Sequence, residues 1–142
     1  MDTQKISVET IVSAPRATAW AAHTQAEHIT GWNFASDDWQ CPSAEVDLRE
    51  GGRMTSRMEA KDGSMGFDFG STFETVEPER ETVLRLDDGR MSRTTFEEAE
   101  GGTKVTTTFD AEDTHPAEMQ RQGWQAILDN YRRYTERLAS GG

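Results

Sequence analysis

The segment spanning residues 114–138 constrains the fold of this chain more than any other. At about 100° per residue, Met119, Gly123, Trp124, Ile127, Leu128, Tyr131, Tyr134 and Leu138 fall on one half of a helical cylinder. Glu118, Gln122, Asp129, Arg132, Arg133 and Glu136 fall on the other. A stripe this wide predicts a long amphipathic helix. Thr114 is placed to cap it, Pro116 fits its first turn, and Gly141 and Gly142 close the chain. Arg132, Arg133 and Arg137 stand in the last turns, where the helix dipole favours cations. Asp129 and Arg133 form a favourable i,i+4 pair. The apolar stripe needs a large apolar surface to lie on, which the rest of the chain must supply.

That surface reads as a sheet. Residues 5–12 alternate, with Ile6 and Val8 opposite Ser7 and Glu9, and predict a strand. Pro15 opens a short helix over 15–22 anchored by Trp20, and a second covers 25–32 and ends at Gly31. Residues 33–42 form a loop rich in aromatics and acids. From there the period is two. A short strand covers 45–49, and strands over 53–60 and 65–76 flank a Lys61-Asp62-Gly63 turn. Alternation resumes around Leu84, around Thr94 after Asp88-Gly89, and around Thr107 after Gly101-Gly102. About six strands in sequential hairpins make an antiparallel meander with one wet face. The dry face must bury against the long helix. We expect one α+β domain over residues 1–142.

Composition excludes several classes. The net charge is -11, and no basic cluster interrupts it, which argues against nucleic acid and against an anionic membrane surface. No apolar run approaches the roughly 20 residues of a membrane span. Residues 1–5 lack the apolar core of a signal peptide, so a cytoplasmic location is expected. The one cysteine, Cys41, leaves no intramolecular disulfide.

Several short stretches occur in a telling order. Ala14-Pro15 with Trp20 follows the first strand, then Glu27-His28-Ile29 with Trp32, then the 33–42 loop. Gly51-Gly52-Arg53, Gly102-Thr103-Lys104-Val105, and Gly123-Trp124 with Leu128 complete the set. In these residues the chain resembles the START-like (SRPBCC, Bet v 1-like) superfamily, and within it the family related to the activator of heat shock protein 90 ATPase. The resemblance covers nearly the whole chain. It implies a helix-grip fold: a curved antiparallel sheet wrapped around the C-terminal helix, with two short helices closing one end and a cavity between sheet and helix. Members bind lipids, polyketides or other apolar compounds, and a few are cyclases or aromatases. Eukaryotic activators carry a separate N-terminal chaperone-binding domain. This chain begins at the first strand, so no counterpart of that domain is expected. The resemblance carries over no catalytic residue.

The inward sheet face mixes Met58, Phe67, Phe69, Leu84 and Phe96 with Ser56 and Thr94. Large soft side chains among small hydroxyls suit a pocket with polar handles. The alternative is that each hydroxyl bonds neighbouring backbone. Gly123 and Gln120 fall on the helix stripe beside Trp124. Either Gly123 leaves room for a guest, to which Gln120 offers its amide, or it lets the sheet backbone approach. In the loop, Trp32, Phe34 and Trp39 either line a pocket mouth or pack as a satellite core. Asp37 could do acid–base work if desolvated, but adjacent loop aspartates are more often solvated. His23, His28 and His115 lack metal-ligand spacing and are expected at the surface or in caps. Cys41 has no base or cation near it in sequence.

The expected function is non-enzymatic binding of a small, mostly apolar molecule, lipid- or polyketide-like, in the cavity. The expected lining is Trp32, Phe34, Asp37, Trp39, Ser56, Met58, Phe67, Phe69, Leu84, Thr94, Phe96, Gln120, Gly123 and Trp124. A cyclase-type enzyme is the runner-up, and a cofactor of a chaperone is the third reading. No catalytic residue, cofactor, metal, nucleic acid or membrane insertion is expected, and the chain should be a monomer or a weak dimer.

Overall fold

The computed structural model describes residues 4–141. Gly142 and the first residues of the 1–5 stretch, on which two of the expectations above rest, lie outside them. Seven strands form one antiparallel sheet in the order β1-β7-β6-β5-β4-β3-β2. They are β1 (Lys5–Val12), β2 (Trp39–Val46), β3 (Arg53–Ala60), β4 (Gly66–Glu77), β5 (Glu81–Leu86), β6 (Met91–Ala99) and β7 (Gly102–Asp110). Two short helices, α1 (Arg16–Thr24) and α2 (Ala26–Ile29), follow β1, and α3 (Ala117–Ala139) closes the chain. This is the α+β helix-grip architecture. Strands β2 to β7 are joined by hairpins, and β1 returns to pair with β7 from Lys5↔Asp110 to Val12↔Thr103.

The strand period holds as read. In β7 Thr103, Val105, Thr107 and Phe109 are buried while the residues between them are not. Three boundaries move. Strand β2 begins at Trp39, inside the expected loop, and ends at Val46. Pro42 is tolerated there because β2 is an edge strand paired only with β3, and the register shifts between Gln40 and Ser43. A proline's missing N–H costs nothing where no neighbour waits for it. Helix α2 stops at Ile29, and bonds from Gly31 and Trp32 N–H groups to His28 and Ile29 carbonyls carry the chain on as turns. Helix α3 begins after Pro116, so Thr114 does not cap it. Instead, the Gln120 side chain reaches back to residues 112 and 115 and ties down the connection. At the other end Gly141 takes the left-handed conformation (φ 80°) that ends the helix.

The solid core lies at the end closed by α1 and α2. It joins Val8, Val12, Ala19, Ala22, Ile29 and Trp32 to Phe96, Val105, Leu128 and Tyr131. Helix α1 is pinned by hydrogen bonds to its carbonyls. The Tyr131 hydroxyl donates to Ala19 (2.6 Å) and the Trp32 indole N–H to Ala22 (2.9 Å). Ala22 lies in the last turn and its carbonyl has no helical partner, so the indole satisfies a group that burial would otherwise penalise. The turn between β6 and β7 packs against the end of β1: a Cβ on Gly102 would collide with the Val12 carbonyl.

Candidate functional site

Side-chain volume falls along α3 from its C-terminal to its N-terminal half. Leu128, Tyr131 and Thr135 are buried in the core. Toward the start of the helix, Trp124, Gly123, Gln120 and Met119 leave a cavity of about 460 Å³ between helix and sheet. A Cβ built on Gly123 meets nothing within 4 Å, so the glycine faces open space and the sheet does not close on it. Trp124 forms one wall, stacked at 3.9 Å and 10° on Phe109 of β7.

The opposite wall is the concave sheet face. Met54, Ser56 and Met58 come from β3, Phe67, Phe69 and Ser71 from β4, and Leu84 and Leu86 from β5. Ser92 and Thr94 of β6, Thr107 of β7 and Val8 of β1 complete it. Most of the hydroxyls are already engaged. Thr94 and Thr107 bond each other at 2.9 Å, and the Ser71 hydroxyl donates to the Met54 carbonyl at 3.3 Å. Ser56 sits against the Cys41 thiol, which burial pushes above its usual pKa, so the thiol is no ready nucleophile.

Of the residues expected in the lining, Trp32, Ser56, Met58, Phe67, Phe69, Leu84, Thr94, Gln120, Gly123 and Trp124 stand on the wall. Phe34, Asp37, Trp39 and Phe96 do not. The loop reaches the cavity through Asn33 and Ala35 instead. Phe34 gives its carbonyl to Asn130 of α3 (2.6 Å), and Trp39, extended in β2, packs on Phe67 at 6.1 Å. Asp37 is exposed. Phe96 is core, held edge-on by Trp20 at 5.3 Å. Gln120 also departs from expectation. Its amide donates to the Glu112 and His115 carbonyls and accepts from the Glu112 N–H, so it is committed to backbone rather than offered to a guest.

His23 corrects the reading of the histidines as surface or capping groups. It lines the cavity from α1, with its ring between those of Tyr131 (5.2 Å), Trp32 (5.3 Å) and Phe96 (5.5 Å). It is half-buried. Desolvation lowers its pKa to about 4, so the imidazole is neutral near neutral pH. The signal was present in the sequence: His23 lies four residues after Ala19 and shares its buried helical face. His28 is half-buried and bonds the Tyr134 hydroxyl at 2.7 Å. His115, exposed, bonds Glu112 at the start of α3.

Charge gathers at the other end of β6, where Arg90, Glu112 and His115 border the cavity. Arg90 is held by Asp88 (2.7 Å), and His115 keeps the Glu112 carboxyl below its usual pKa. Exposed Met119 and Phe67 flank the opening. Among the described residues no group of three or more His, Cys, Asp or Glu is placed to hold a metal.

The residues from 13 to 136 match the family model described as activator of Hsp90 ATPase homolog 1-like protein. The chain belongs to this family. It is 43% identical to the AHSA1-like protein from Aeromonas hydrophila, over 97% of this chain and 94% of that one, with a TM-score of 0.89. It is 39% identical to Chr148 from Cytophaga hutchinsonii, over 97% and 96% of the two chains, with a TM-score of 0.81. CV1439 from Chromobacterium violaceum, at 20% identity, covers 94% of this chain and 98% of its own with a TM-score of 0.84, and shares the fold. No curated protein matches the chain. Among the described residues no helix is long and apolar enough to cross a membrane.

Proposed function

We propose that this member of the family binds a small, mostly apolar molecule in the space between α3 and the concave sheet. The observation that carries the reading is the cavity itself: about 460 Å³, walled chiefly by Met, Phe, Leu and Trp side chains. Volumes of roughly 300–1,000 Å³ with apolar walls and few polar groups are typical of small-molecule sites. Leaving such a void unfilled forfeits packing, at a cost of about 24 cal/mol per Å³ in engineered cores. A guest that fills it recovers part of that loss. Catalysis finds less support. Cys41 is held as the thiol, Gln120 is spent on backbone, and His23 has no carboxylate among the rings packed on it.

The test is native mass spectrometry of the purified protein, followed by calorimetric titration with the compound released. A co-purifying apolar compound that binds at one site supports the reading. Conversion of that compound during the titration would replace it with a cyclase-type activity. A protein that carries no compound and shows no thermal shift across an apolar library would overturn it.

A further inference from the structure

We propose that His23 orients the guest, and that the guest is a neutral, largely apolar molecule with a hydroxyl, such as a phenol or enol, which hydrogen-bonds the imidazole edge. The inference rests on the cavity being a binding site and adds to it the chemical class of the guest. Three rings hold the imidazole in place: Trp32 tilted at 33°, Tyr131 and Phe96 edge-on at 78° and 80°. None of them satisfies it. The Tyr131 hydroxyl is spent on Ala19 and the Trp32 N–H on Ala22, while Phe96 has nothing to give. Among the described residues no other side chain hydrogen-bonds the His23 imidazole, and its own backbone is the polar group that bears on it.

The other polar groups on the wall are mostly engaged. Thr94 and Thr107 bond each other, Ser71 bonds a carbonyl, and the Gln120 amide holds residues 112 and 115. His23 joins Asn33 and Ser92 as a polar side chain on the wall that is not spent on another side chain, and it is the one clamped among three aromatic rings. A neutral imidazole carries one donor and one acceptor nitrogen. A hydroxyl matches the acceptor. A carboxylate would find no free cation here, because Arg90 and His115, the other basic side chains on the wall, lie beyond the far end of β6 and are paired with Asp88 and Glu112. From Arg90 to Phe96 is about 20 Å along the strand.

Two probes alike except for a hydroxyl, 4-phenylphenol and biphenyl, separate the possibilities. Their affinities are measured by Trp fluorescence titration for the wild type, His23→Phe and His23→Gln. Removing the imidazole should shift the ratio of the two affinities about tenfold in favour of biphenyl, the value of one hydrogen bond. His23→Gln, which keeps a donor and an acceptor, should recover part of the preference. In wild-type protein the His23 side-chain ¹⁵N resonances should move with 4-phenylphenol and stay still with biphenyl. This readout decides the matter even if His23→Phe does not fold. An unchanged ratio in folded His23→Phe, or unmoved ¹⁵N resonances with 4-phenylphenol bound, would overturn the role of His23 and leave the binding site standing. Failure of both probes to bind would overturn the site and this inference together.

Discussion

Single residues in this protein are judged by whether they face the core or the void. Trp124 is half-buried and stacked on Phe109, with its other side toward the cavity. A fully buried Trp→Ala change costs about 3–5 kcal/mol. Here the mutant enlarges a space that already exists, so Trp124→Ala should cost about 2 kcal/mol by urea denaturation. A loss near 5 kcal/mol would place the indole in a solid core. Gly123→Leu should fold, since nothing obstructs the first carbon of the new side chain, and should abolish binding of the co-purifying compound. Unchanged affinity in the folded variant would put the guest elsewhere. His23 predicts a pH dependence. Its pKa is lowered from 6.5 to about 4 on folding, so between those values the unfolded chain binds the extra proton. Stability is therefore full above the unfolded value and falls as pH drops toward the folded one. Near pH 5 the loss should be about 2 kcal/mol. His23→Gln should make the profile shallower between about pH 4 and pH 6.5. Acidic groups held low, such as Asp110 beside Lys5, act in the same direction in both proteins and cancel in the comparison.

At the level of elements, much of the plan is legible from period alone. The 3.6-residue stripe gives α3, and the two-residue alternation gives β3 to β7, because each buries one face only. The termini are less legible because they depend on partners distant in the chain. Thr114 has the chemistry of a cap, but the helix starts after it, and the connection is held by Gln120 instead. Gln120→Leu should cost about 1–3 kcal/mol, because Glu112 and His115 lose their partners. Hydrogen exchange at the Glu112 amide should speed up more than exchange in the centre of β7. An unchanged amide would mean the side chain is not what fixes the connection.

As a whole, the molecule puts its charge outside and keeps its void inside. Ion pairs such as Lys104–Glu9 (3.2 Å) and the two-pronged Arg53–Asp87 pair (2.6 and 3.0 Å) link neighbouring segments at exposed positions. Exposed pairs of this kind are worth about 0–1 kcal/mol each, so they favour solubility more than stability. The sheet has two edges, β1 and β2. Pro42 blunts one and Lys5 stands at the start of the other. With a net charge of -11, we expect a monomer or a weak edge-strand dimer by light scattering. A tight tetramer would contradict this.

The sequence by itself determined the helix stripe, the antiparallel meander and the thinning of side chains along α3 at Gln120 and Gly123. These are local patterns, and burial on one face writes them directly into residue order. The tertiary structure alone decided which side chains meet across the cavity. Phe96 and His23 are far apart in the chain, yet packing makes the first core and turns the second toward the void. Gln120 sat at the right height on the right face, and only the fold showed its amide already spent on backbone. Whether a polar group is free depends on every group within hydrogen-bond reach, and those neighbours come from segments that sequence spacing does not relate.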